Sequence, residues 1–143
     1  LSSEAQTNSF VLGSDTTVVL NGQILGKPES EDDCIQTLSL LSNNQHQVLT
    51  GIALASNTGV EVKVIKTDVL FKTLTIAEIQ AYWLTGEPQD KAGSYGIQGI
   101  AGQFVKSISG SYSAVVGLPL YETAKLLTNA GFTGAIDVNN LSK

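Results

Sequence analysis

Residues 10–28 read FVLGSDTTVVLNGQILGKP, and the fold turns on this stretch. Phe10-Val11-Leu12 is an apolar run that predicts a short buried strand, ending at Gly13-Ser14-Asp15. Thr16–Leu20 is β-branched and apolar, so the chain continues as strand. Asn21-Gly22 is a hairpin turn signal, and Gln23–Leu25 returns. Lys27 follows between Gly26 and Pro28, ahead of the next element.

Working outward, Ser30 with Asp33 three residues on reads as a helix start, a weak capping box. Ile35, Leu38 and Leu41 recur at helical spacing until Asn43-Asn44 stops the run. Gln47–Ala55 and Val60–Thr73 predict two strands around a turn at Asn57-Thr58-Gly59. The alternation Val60, Val62, Val64 changes phase before Val69 and Phe71, which predicts a bulge near Thr67. Thr75-Ile76-Ala77-Glu78 is a clearer capping box, opening a helix that Gly86 closes. Glu87–Gly102 is polar, glycine-rich and too irregular for a regular element. Phe104, Val105 and Ile108 fit a strand, and Ser113–Leu118 another. Pro119 begins a last helix that stops at Gly131. Residues 1–9 read as a loop or a fraying helix end, and residues 132–143 as a tail. Hairpins interleaved with helices predict an α/β fold, a mixed β-sheet flanked by helices, in one domain.

The totals narrow the function. Net charge is −5 over 143 residues, and the cations are eight lysines, scattered, with no arginine. A nucleic-acid backbone needs clustered cations, so no nucleic-acid partner is expected, whereas a small anion needs only one or two. Cys34 is the lone cysteine, which excludes a disulfide within the chain and a cysteine-based zinc site and fits a reducing cytoplasm. No apolar run reaches the roughly 18 residues of a helical membrane span, so no membrane partner is expected. The chain has no methionine and opens in the polar stretch Leu1-Ser2-Ser3-Glu4, which predicts a trimmed or partial product.

Three polar segments are candidates for chemistry. Asp15, expected just past a strand, suits a base or a ligand for a divalent cation, since α/β folds place ligands at strand ends. The competing reading is a turn aspartate bonding its own backbone. Lys27 suits a phosphate contact, but Gly22 lies too close and Pro28 replaces the required Ser/Thr, so this is not a P-loop. It competes with an ordinary exposed lysine. Glu87–Gly99 combines three glycines with two acids and one lysine; Asp90 and Lys91 suit metal and phosphate and Gln98 a base edge, and Tyr95 and Ile97 argue that the loop is ordered. The alternative there is a structural loop with a surface ion pair. His46, the only histidine, has no partner in sequence for a catalytic triad and is read as structural or exposed. Cys34 is read as core, and Tyr82 and Trp83 as packing residues or part of a partner interface.

Val11-Leu12-Gly13-Ser14-Asp15-Thr16, Leu25-Gly26-Lys27-Pro28, Thr50-Gly51, Asp90–Gly99 and Gly110-Ser111-Tyr112 through Leu120 come in an order that resembles the Maf family of nucleotide pyrophosphatases. The resemblance implies a Maf/ITPase-like fold over residues 1–143. It implies hydrolysis of a nucleoside triphosphate between the α and β phosphates, a divalent cation such as Mg²⁺ or Mn²⁺, and a homodimer. Asp15 matches the family's proton acceptor, Lys27 and Lys91 its phosphate-site lysines, and Asp90 a carboxylate of the same cluster, which with Asp15 would hold the metal. Thr16 and Gln98 match positions linked to base selection. The run Asp90–Gly99 looks like the branch acting on dTTP and UTP, with modified pyrimidine triphosphates as further substrates. The alternatives are the family's 7-methyl-GTP branch and a non-catalytic nucleotide-binding regulator of septum formation. Family members also carry a Ser-Pro-Arg-Arg loop that this chain lacks, so the resemblance implies an N-terminally truncated domain whose site is completed upstream of Leu1.

Overall fold

In the structure, a computed structural model that describes residues 10–132, the hairpin forms as its turn residues dictate. Strand β1 (Val11–Leu20) turns at Asn21 and Gly22, both with positive φ (50° and 80°), into β2 (Gln23–Leu25). The register pairs Val18 with Leu25 and Leu20 with Gln23. Positive φ at both central residues is what makes the turn twist with its strands. The expected fraying end at residues 1–9 and the tail beyond residue 132 lie outside the described residues.

The other strands are β3 (Gln45–Ser56), β4 (Gly59–Phe71) and β5 (Val105–Ser109). They form a sheet in the order β2-β1-β3-β4-β5, and each ladder among the described residues is antiparallel. Helices α1 (Glu31–Leu41), α2 (Ile76–Leu84), α3 (Tyr112–Val116) and α4 (Leu120–Asn129) flank it, so the α/β class is the expected one. Strand β3 explains the layering. His46, Val48, Thr50, Ile52 and Leu54 alternate onto one buried face. One end of that face packs with Cys34, Leu38 and Leu41 of α1 and Ile79 and Tyr82 of α2. The other end, at Ile52 and Leu54, packs with Leu126 of α4. The ground between the two packed ends carries the candidate site.

Local chemistry fixes the helix ends. The Ser30 hydroxyl accepts from Asp33 N (3.2 Å), and the Asp33 carboxylate accepts from Glu29 N (2.9 Å), one residue short of a full capping box. At α2 the box is complete: Thr75 Oγ1 accepts from Glu78 N (3.1 Å) and Glu78 Oε1 accepts from Thr75 N (3.0 Å). Each such cap contributes about 1 kcal/mol.

Three expectations are corrected. Residues 10–12 do not form a short buried strand closed by Gly13–Asp15; β1 runs unbroken through them and Val11 is 66% exposed. The reason is pairing, since Gly13, Ser14 and Asp15 lie opposite Ala53, Ile52 and Gly51. No bulge occurs near Thr67. Strands β3 and β4 pair in one register from Gln45–Leu70 to Ser56–Gly59, and the irregularity falls between Leu70 and Phe71, against β5. The phase change marks a change of face: Thr67, Val69 and Phe71 point into the core, while Val60, Val62 and Val64 lie exposed on the other side. Ser113–Leu118 is not a strand. Tyr112–Val116 is a helical turn because the Ser111 hydroxyl accepts from Ala114 N (3.1 Å) and the Thr50 hydroxyl donates to Ala114 O (2.7 Å). Those bonds outweigh the β preference of the paired valines.

Candidate nucleotide site

A cavity of about 650 Å³ opens between the two packed ends of the sheet face. Asp15, Thr16, Lys27, Asp90, Lys91 and Gln98 all border it. Six residues from three separated segments therefore meet in one place.

Strand β1 delivers the first two. It has a ladder partner on its outer edge only over Val18–Leu20, so among the described residues the edge from Val11 to Thr17 is unpaired, and its Ser14, Asp15 and Thr16 border the cavity. Thr16 lies on the face that carries Val18. Alternation puts Asp15 on the other face, where it also borders a shallow depression with Gly13, Gly51 and Val62. Asp15 thus stands at the rim, exposed, with Oδ1 accepting only from Thr16 N (3.0 Å). Lys27 is exposed at the end of the hairpin.

The loop after α2 delivers the rest. It folds as three short 3-10 turns, Glu87–Asp90, Ala92–Ser94 and Ile100–Phe104. Gly93 N donates to Gly26 O (3.1 Å), tying the loop to the Lys27 segment. Lys91 Nζ lies 3.3 Å from Asp90 Oδ1, with both side chains substantially exposed. A pair so exposed contributes about 0–1 kcal/mol and separates easily when an anion competes for the lysine. Gln98 is exposed at the cavity wall.

Buried groups hold this loop. Tyr95 OH is 2.6 Å from His46 Nε2, and the two rings stand edge to face against Phe71. His46 is therefore a core residue, 1% exposed, as the structural reading expected. Burial pushes its imidazole down to about 4, and that of Tyr95 holds its phenol above the ordinary tyrosine range. The folded state thus keeps His46 neutral where the unfolded chain, near 6.5, takes up a proton. This contribution is present above pH 6.5 and is lost as pH falls toward 4. The interval corresponds to roughly 3 kcal/mol. Urea midpoints should fall between pH 6.5 and 4.5, and His46→Gln should flatten that slope. A wild-type curve already flat in this window would refute the buried neutral imidazole.

Two features had no site role from the sequence. The first is the far wall, Val115, Val116 and Gly117, hidden because that segment reads as strand. Ser14 Oγ donates to the Gly117 carbonyl and ties this wall to β1. The second is Glu87. Its carboxylate accepts from the Tyr82 hydroxyl, from Ile100 N (2.8 Å) and from Ala101 N (3.2 Å). Burial pushes its pKa up, but the Tyr82 hydroxyl and the two amides outweigh that and hold it below the usual glutamate value. Only its place at the head of the loop could have drawn attention to it.

A family profile described as "Maf-like protein" matches residues 1–130. Relatives named dTTP/UTP pyrophosphatase are similar over most of the chain. The one from Colwellia psychrerythraea is 78% identical over 90% of this chain and 60% of its own length. That from Pseudoalteromonas translucida is 60% identical over 85% of this chain and 64% of its own, and that from Vibrio vulnificus 55% over 84% and 64%. The chain therefore spans about three fifths of the length of the relatives it matches.

Proposed function

This chain belongs to the Maf family, and on that footing we propose that it carries the nucleotide site of a pyrophosphatase that hydrolyses dTTP and UTP to the monophosphate and pyrophosphate. One observation supports this most: Asp15, Thr16, Lys27, Asp90, Lys91 and Gln98 converge on a single cavity large enough for a nucleotide.

The chemistry follows from the substrate. A triphosphate carries several negative charges and this chain is itself acidic, so local cations must neutralise the ligand. Lys27 and Lys91 take the phosphate oxygens, Lys91 exchanging its partner Asp90 for them. Water attacks the α phosphorus, the bond to the bridging oxygen of the β phosphate breaks, and pyrophosphate leaves. Asp15 accepts the proton of the attacking water, a role its exposed carboxylate can fill from the rim. Gln98 offers a paired donor and acceptor to the pyrimidine edge, and Thr16, on the same cavity, is a second selector.

A divalent cation belongs to this reading. Among the described residues no three His, Cys, Asp or Glu side chains group as a metal site. Magnesium, however, is commonly held by one or two carboxylates together with substrate phosphates, and Asp15 and Asp90 supply hard oxygen donors on the same cavity. When bound, the ion offsets the charge that builds on the phosphates. A homodimer completes the reading, supported by the exposed row Val60, Val62 and Val64; sedimentation of the intact protein checks it.

The deciding assay is pyrophosphate release by the intact protein carrying this chain, with Mg²⁺, across dTTP, UTP, dCTP, the purine triphosphates and 7-methyl-GTP. Release should be fastest with dTTP and UTP and should stop with a chelator. Preference for 7-methyl-GTP, or binding without release, would refute the proposal.

A further inference from the structure

Glu87 borders the cavity but is not free to act there. Three donors converge on its two oxygens: Ile100 N on Oε1, and Ala101 N and the Tyr82 hydroxyl on Oε2. An ionised carboxylate accepts at both oxygens and donates nothing, so it satisfies all three at once. The Tyr82 oxygen in turn accepts from Gly96 N (3.3 Å), and Tyr82 is itself buried between the helices and the loop. Residues 96 and 100–101 are thus tied to one Tyr82–Glu87 unit, and between them lies Gln98. Gly99 makes this possible, since a Cβ there would lie 1.8 Å from Glu87 Oε1. Gly99 is the space the carboxylate occupies.

We propose that Glu87 is a positioning residue for nucleobase selection: with Tyr82 it clamps both sides of Gln98 and so fixes which way the Gln98 amide meets the pyrimidine. The idea rests on the proposed function for the role of Gln98. Its physical basis is the ambiguity of an amide. Thymine and uracil present an acceptor at O4 where cytosine presents an amino donor. A glutamine that is free to turn can offer either its NH₂ or its oxygen to that position and so accepts both bases. Holding the Gln98 backbone in one place limits the directions from which its side chain reaches the base and so favours one of the two amide orientations.

The test uses Glu87→Gln in the intact protein. The variant keeps the size of the side chain but turns one acceptor into a donor, which then faces a donor. Tyr82→Phe serves as a second variant, removing the hydroxyl while keeping the ring, should the first fail to fold. The readouts are kcat and KM for dTTP and dCTP, and hydrogen exchange at the amides of Gly96, Ile100 and Ala101. The expected result is a fall of about tenfold in the dTTP-to-dCTP ratio of kcat/KM, carried mainly by a higher KM for dTTP, with faster exchange at those three amides. A fall of more than threefold in either folded variant supports the clamp. A smaller change, or an equal loss for both nucleotides, overturns it. The exchange measurement needs no turnover. If the wild type hydrolyses neither nucleotide, the substrate reading has failed, and unchanged protection in the variants would separately overturn the clamp.

Discussion

On the proposed function, Asp15→Asn in the intact protein should lower pyrophosphate release from dTTP by about 10²–10⁴-fold, the contribution a positioned general base makes. The substitution is nearly isosteric and removes the carboxylate charge, and with it both the base and a donor for the cation. Its structural cost is small for a stated reason. Asp15 is exposed, and among the described residues its side chain accepts a single hydrogen bond, from the neighbouring Thr16 N, which the amide oxygen of Asn can also accept. Turnover should therefore collapse while the unfolding free energy stays within about 0.5 kcal/mol of wild type, as for most surface substitutions. KM should change less than kcat, because the proposed phosphate contacts, Lys27 and Lys91, are left in place. Steady-state kinetics with Mg²⁺, alongside urea melts, give both numbers. Turnover near the wild-type rate would remove Asp15 from the chemistry.

Gly93→Ala should have the largest effect on stability. Gly93 has φ of +70° inside a 3-10 turn, and a Cβ added there would lie 2.9–3.0 Å from all three side-chain carbons of Val18. Val18 is 3% exposed and packed in the main core, so it has nowhere to go. Overpacking costs about 1–3 kcal/mol and the left-handed backbone about 1–2 more, so a loss of roughly 2–5 kcal/mol is expected in equilibrium unfolding. Gly13→Ala is the control, since Gly13 has an ordinary φ and nothing within 4 Å of its added Cβ. It should change stability by less than about 1 kcal/mol. The pair Gly93→Ala with Val18→Ala should lose less than the sum of the singles, because the shorter side chain relieves part of the clash. Strict additivity would mean the contact does not govern the loop.

Much of the frame was legible because its signals are local. Asn21-Gly22 demanded positive φ at two positions, and only a tight hairpin uses that. Ser30 and Thr75 each had a carboxylate three residues on, and both cap a helix. The three polar segments could be named, because acids and lysines in glycine-rich loops carry more chemistry than a loop requires.

What tertiary structure alone decided concerns partners far apart in sequence. Residues 13–15 have turn composition, yet they are strand, because β3 supplies the ladder opposite them. This moves Asp15 from an expected sheet end to the rim of an edge that is unpaired among the described residues, where it can face a ligand. Ser113–Val116 has strand composition, yet it is helix, because Ser111 and Thr50 bond its backbone. Glu87 shows the limit most clearly. Its type and position in a polar loop are equally consistent with a ligand, a base or a surface charge. It becomes an anchor only through the hydroxyl of Tyr82 and the amides of Ile100 and Ala101, which sequence spacing does not bring together. Sequence carried the elements and the inventory of reactive groups, because propensity and turn chemistry act over a few residues. The direction each group faces, and whether its charge is free or already engaged, depended on contacts that only the packed chain creates.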